Sequence, residues 1–371
     1  MRLRLLELAR EQAGQVASSL LADLGADVIM VEPGGDRGAP TFAPAASTTR
    51  RAPDYLRRRR RSVTLDLTSA RGIREVLRLA GTVDAVIETF PPGELAGLGL
   101  DFAELSEANP GIVLTSVTPF GQTGPRAGWR GTDLVVQAMG GLVASTGDAD
   151  GPPRKLGGEQ AAHVAGLLAA IDTAAAVRGV RAGLASGVHI DISMQEVMAT
   201  HWTREIERYV YTGQETGRAT QRLGLQGFPH TVETADGLLF LLPLRADWET
   251  FAAFLGLDRF ATHEWSDPET RLARWDEIEP HFLAAWKRRG RYEWFERAAE
   301  FGFTLAPLDD PHSVLASPQL AVSGFFEDVR LTDGSTVQAP GLPFAVAAER
   351  AENRVPEPGE QNETLLGSRR D

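Results

Sequence analysis

The N-terminal part of the chain alternates short β-rich runs with stretches of helical periodicity, the rhythm of a parallel sheet covered by helices. Residues 4–8, 27–31, 84–88 and 112–117 read as strands, and a helix is expected over 15–24. Residues 41–54, rich in Pro, Ala, Ser and Thr, read as a loop that ends in five consecutive arginines, Arg57 to Arg61, before the strand-like SVTLDL. The pattern is that of a doubly wound α/β domain. An arginine run of this kind is either a solvated face or, standing just before such a strand, a contact for ligand phosphates.

An Ala/Leu-rich helix is expected over 159–183, followed by the strand VHIDIS at 188–193 and a helical run from Met194 toward Gly213. Composition then shifts. Residues 201–227 suit a linker, 231–242 a hairpin turning at Ala235-Asp236-Gly237, and three Trp- and Phe-bearing helical segments follow near 247–257, 274–288 and 291–301. A short antiparallel ribbon around Asp333-Gly334 and a last helix near 363–366 close the chain. The division expected is a large domain of 1–200 with 325–371, the linker 201–227, and a small domain of 228–324. No internal repeat is present.

With 371 residues, 43% of them hydrophobic, the chain buries enough core for two domains. A formal net charge of -12 argues against a protein built to coat nucleic acid. With no cysteine there is no disulfide, thiolate nucleophile or Cys-built metal site, and the composition fits a reducing cytoplasm. The start, MRLRLLELAREQAGQ, has too short an apolar core for a signal peptide, and charges interrupt the long apolar stretches, so no membrane span is expected. The sequence after the first strand, REQAGQ, lacks the Gly-rich dinucleotide fingerprint. Walker loops and serine elbows are absent too, and the seven scattered histidines point to no metal.

An ordered set of segments carries more. LLADLGADVIMVEP (20–33), RRSVTLDL (60–67), VIETFPPG (86–93), LGLDFAELSEANPGIV (98–113) and TPFGQTGP (118–125) come first. They are followed by GTDLVVQAMGGLVASTGDADGPPRKLG, AGLLAAI, VHIDISMQEV, DGLLFLLPL, FTLAPLDDP and SPQLAVSGFF. Together they resemble the family III CoA-transferases of the CaiB/BaiF type over nearly the whole chain. The resemblance implies a large Rossmann-like domain assembled from both chain ends, a smaller α+β middle domain, and an interlocked dimer. It also implies an acyl-CoA and a carboxylic acid as substrates, with coenzyme A passing between them.

In such enzymes an aspartate attacks the thioester, forming a mixed anhydride that the released CoA thiolate converts to an enzyme thioester. The matching position lies four residues before Gly166 and holds Ala162. The carboxylates that flank it are Glu159 and Asp172; Glu159 lies about one helical turn away if the helix already includes it, and otherwise favours the helix start through the dipole. His163 and Asp172 are weaker candidates. The histidine used by racemase relatives is matched by Thr132, next to Asp133. Among CoA-lining positions, Gln12 matches an active-site residue, Phe90 an aromatic beside the adenine, and Arg130 a cation for CoA phosphates, with Leu65 and Leu98 also on the pocket. Thr89, Gly97, Thr68 and Pro33 replace an asparagine and three basic residues, so charge-assisted contacts are lost. Arg37, Arg60 and Arg61 are the cations expected to compensate. Three readings follow: a transferase whose carboxylate has moved to Glu159, a silent subunit in a heterodimer with an aspartate-bearing paralogue, or a pocket redirected to other chemistry.

Overall fold

The computed structural model describes residues 2–33, 52–149, 151–215, 217–218, 228–242, 247–345 and 349–367. Its chain divides into two compact units, one comprising Ser145–Arg154 with Thr216–Leu320 and the other the remainder.

The larger unit is built on six parallel strands, β1 (Arg4–Leu8), β2 (Asp27–Pro33), β3 (Arg61–Leu65), β4 (Ala85–Glu88), β5 (Val113–Thr118) and β6 (Val188–Ser193), in the order β3-β2-β1-β4-β5-β6. This is the Rossmann-like order. The helices that connect and cover them are α1 (Gln12–Asp23), α2 (Ala52–Arg57), α3 (Ala70–Ala80), α4 (Glu94–Gly97), α5 (Phe102–Ala108), α6 (Asp133–Met139) and α7 (Gln160–Arg181). Strands buried on both faces explain the near-continuous apolar runs. Leu5, Val28, Ile87 and Val113 pack with α1 and α7, while Leu6, Ile29, Val63, Val86 and Leu114 pack with α3 and α5.

Beyond β6 the helical run expected as one piece is two, α8 (Met194–Thr200) and α9 (Thr203–Thr212). Side chains break it. Thr200 Oγ1 and His201 Nδ1 both turn back to the Val197 carbonyl, and Thr203 Oγ1 donates to Thr200 O at 2.6 Å, bonds that compete with the helical ladder. Ten residues of the expected linker are thus the helix α9. The expected loop over 41–54 lies mostly outside the described residues, and its end belongs to α2. By length and composition α7 is apolar enough to cross a membrane, contrary to expectation, yet Ala165, Gly166, Ala169 and Thr173 form a buried face on it.

In the second unit β7 (Thr231–Glu233), β8 (Leu238–Leu241) and β9 (Leu305–Pro307) form an antiparallel sheet. The helices α10 (Trp248–Phe254), α11 (Pro268–Ala273), α12 (Trp275–Trp286) and α13 (Arg291–Phe301) surround a core in which Phe251, Phe282 and Trp286 are almost fully buried. The chain continues through α14 (Pro311–Leu315) and α15 (Pro318–Val322). It then returns to the first unit as the antiparallel ribbon of β10 (Phe326–Arg330) and β11 (Thr336–Pro340), ending in α16 (Asn362–Leu366). The unit boundaries fall at 216 and 321 rather than 228 and 325, and Ser145–Arg154 joins the second unit, an excursion not anticipated.

Candidate active site

The order of strands reverses direction between β1 and β4, which opens a crevice outside their carboxyl ends, the place where sheets of this type bind ligands. The chain leaves β1 through Ala9, Arg10 and Glu11 and enters α1 at Gln12. Glu11, at the N-cap, makes no capping bond with its side chain. Thr89, just after β4, fixes this turn: its Oγ1 accepts from the backbone N–H of Arg10 at 2.9 Å and of Glu11 at 2.8 Å. A Cβ at Gly14 would stand 2.5 Å from Ala9 Cβ and 2.8 Å from Thr89 Cγ2, so only glycine lets α1 start this close to the strands.

Phe90 is buried, and the Arg10 guanidinium lies 4.0 Å above its ring centroid while Arg10 Nη1 binds Glu94 at 2.7 Å. That ring face is therefore taken by a cation and not offered to a base. Arg10 itself, half-exposed at the crevice, carries no signal in the sequence, where it is one arginine after a strand. Behind Phe90, Glu88 Oε2 accepts the Phe90 N–H at 2.5 Å. Burial pushes the Glu88 carboxyl up to about 6, against the Ser116 hydroxyl and the Phe90 N–H, which favour the charged form.

The start of α7 comes to the same end of the sheet. A Cβ at Gly166 would lie 2.6 Å from the Ala13 carbonyl oxygen and 2.7 Å from Val16, so α1 and α7 meet there almost backbone to backbone. Ala162, one turn earlier on the same face, is buried in that seam, and Gln12 is half-buried at the start of α1. Glu159 is not part of the helix, so the geometry of residues sharing a helical face does not apply to it: it is the exposed N-cap residue and its side chain caps nothing. Asp133, the first residue of α6, performs that task instead, its Oδ1 accepting from Ala161 N at 2.8 Å. Its Oδ2 accepts from Gln137 Nε2 at 2.5 Å and Lys155 Nζ at 3.3 Å, and Lys155 also donates to Gly158 O at 2.6 Å. Asp133 is buried with both carboxylate oxygens hydrogen-bonded, which makes it a structural cap. His163 Nδ1 pairs with Glu159 O at 2.8 Å, and Asp172 is exposed further along α7.

The remaining expectations divide. Leu65 is buried at the carboxyl end of β3 and Leu98 is half-buried after α4, both in the core layer of α3 and α5. Arg130 is exposed. A side chain at Gly97 would meet nothing within 4 Å. Arg60 does not compensate for lost phosphate contacts: it is buried, ion-paired with Glu7, and donates to Gln15 O at 2.6 Å. Arg61, at the opposite end of β3 from Leu65, binds Asp27 at 2.5 Å. Arg37 lies outside the described residues.

The sequence profile of CoA-transferase family III matches residues 2–362. The chain belongs to CoA-transferase family III. It is 31% identical over 383 residues to the succinate–glutarate CoA-transferase of Agrobacterium fabrum, covering 98% of this chain and 94% of that one. It is also 31% identical over 370 residues to the BbsE subunit of the Thauera aromatica succinyl-CoA:(R)-benzylsuccinate CoA-transferase, covering 92% and 87%. A CaiB/BaiF family protein from Brucella suis has the same fold, with a TM-score of 0.85 at 28% identity over 98% of this chain and 97% of that one. Within the family III fold, then, the crevice between β1 and β4 and the paired starts of α1 and α7 form the candidate active site.

Proposed function

We propose that this protein transfers coenzyme A between a CoA thioester and a carboxylic acid, with Glu159 as the carboxylate that carries CoA between the two half-reactions. The observation behind this reading is the position of Glu159, an exposed carboxylate at the start of α7 next to the seam that holds Ala162 and Gln12. Gly157 and Gly158 precede it, Gly158 at φ +72, a turn conformation that favours glycine.

The Glu159 carboxylate attacks the thioester carbonyl, and the CoA thiolate leaves a mixed anhydride. The thiolate then attacks the glutamyl carbonyl, expelling the first carboxylate and leaving Glu159 as a CoA thioester. An acceptor carboxylate reverses both steps, so every bond broken is replaced and no cofactor is consumed. The N–H groups opening α1 and α7, other than that of Ala161, which Asp133 takes, are the donors this reading assigns to the developing oxyanion.

The test is incubation with succinyl-CoA, a donor chosen from the names of the relatives, followed by hydroxylamine or borohydride and peptide mass spectrometry. A mass change at Glu159 that disappears in Glu159→Gln is expected, together with exchange of labelled succinate into succinyl-CoA. Labelling confined to an Ala162→Asp variant would overturn the reading and leave this chain without a working carboxylate of its own.

A further inference from the structure

The arginine run is not part of the crevice, and its residues are dispersed among carboxylates. Arg57 binds Glu32 at 2.8 Å, Arg58 binds Asp23, Arg59 binds Glu327 at 2.7 Å, and Arg60 binds Glu7. Arg61 has no carboxylate to itself. It shares Asp27 Oδ2, at 2.5 Å, with Arg4, at 3.3 Å.

A cavity of about 520 Å³ lies here, at the amino-terminal end of β1, β2 and β3, walled by Arg2, Arg4, Arg59, Arg60, Arg61 and Arg354. Among the described residues two carboxylates, Asp27 and Glu352, stand on its wall. Arg60 is neutralised by Glu7 and Arg354 by Glu360, while Arg59 shares Asp23 with Arg58 and Glu327 with Arg350. Glu352 is shared by Arg330 and Arg354. Asp84, which accepts the Arg4 backbone N–H, is paired with Arg181 at 2.7 Å. Arg2 donates to a carbonyl, that of Gly25. Arg2, Arg4 and Arg61 therefore face one carboxylate between them, an excess of two positive charges in a protein whose net charge is -12. The cavity and this charge balance together mark the wall as a place for an anion.

We propose that this cavity binds the phosphate group of a small phosphorylated molecule, at a site separate from the crevice. Guanidinium forks match the oxygens of phosphate in pairs. The phosphate dianion cancels the excess charge within one compact group, and Arg4 and Arg61, already converging on a single oxygen, are placed for such a group rather than for two separated carboxylates. The volume, within the usual range for small-molecule sites, leaves room for the rest of a phosphate monoester beside Glu352 and Gln361.

Titration calorimetry of the full chain with inorganic phosphate and with glycerol 3-phosphate tests this. Saturable binding is expected, tighter for the monoester than for free phosphate. Arg61→Gln weakens it about tenfold, as loss of a charge-assisted bond requires, and Arg2→Gln, exposed and bonded only to a carbonyl, weakens it without altering the melting temperature. Asp27→Asn removes the competing carboxylate and tightens binding about threefold or more, an effect that a purely structural role for Asp27 does not produce. The proposal is overturned by an absence of saturable heat at millimolar phosphate. It is overturned equally by binding that ignores Arg2→Gln and Asp27→Asn in variants that melt as the parent does.

Discussion

Glu88 sits at the last position of β4 and holds the backbone of Phe90 at the edge of the crevice. Its carboxyl stands at about 6 because burial outweighs its hydrogen bonds, against an ordinary value of 4.5. The folded chain thus takes up this proton before the unfolded chain does as pH falls. Its contribution to stability is full below pH 4.5 and is lost as pH rises through about 6, some 2 kcal/mol in all. Denaturant melts at pH 5 and pH 7 are expected to differ less in Glu88→Gln than in the parent, by about 1 kcal/mol, since pH 5 already lies inside the window; identical differences would mean that the carboxyl titrates normally. The sequence reading included VIETFPPG but drew nothing from its glutamate, since nothing local distinguishes a buried carboxylate from an exposed one. Gln12, Ala162 and Phe90 lie in segments that the resemblance singles out; the cation above the Phe90 ring comes from Arg10, a contact that spacing along the chain does not reveal.

At the scale of elements, strands were legible to within a residue or two because burial on both faces writes itself into unbroken apolar runs. Helix starts were less so. The helix α1 begins three residues before its apolar pattern does, because Thr89, just after β4, satisfies the turn that the local sequence leaves bare. In α7 the cap comes from Asp133 on α6. Tertiary capping of this kind leaves no Ser, Thr or Asp signature at the helix itself. The contact of α1 with α7 depends on Gly166, and Gly166→Ala forces a methyl against the Ala13 carbonyl. A loss of about 1–3 kcal/mol in urea unfolding is expected, with a larger fall in turnover because the Gln12–Ala162 seam opens. A variant as stable as the parent would mean that the two helices adjust freely.

Across the whole molecule, the larger unit draws on both ends of the chain. Asn362 Oδ1 accepts the Thr64 N–H at 2.9 Å and its Nδ2 donates to Thr64 Oγ1 at 2.8 Å, while Gln361 Oε1 accepts from Ser62 N at 2.6 Å. These side chains cover the edge of β3, which would otherwise present bare backbone groups. In Asn362→Ala the Thr64 amide is expected to exchange its hydrogen faster, with about 1–3 kcal/mol of stability lost, while Val28 and Val86 keep their protection. Uniform acceleration across the sheet would instead point to global loosening. Gathering from both ends was legible through the family resemblance, whereas the excursion Ser145–Arg154 was not, since no change of composition marks it. The cover of β3 also has a clock in it. Gln361 is 299 residues downstream of Ser62, so at the roughly 5–20 residues per second of synthesis the edge stays open for about 15–60 s. A nascent chain of this protein therefore carries an unpaired strand edge while the 299 residues from Ser62 to Gln361 are made, and a segment from far downstream closes it.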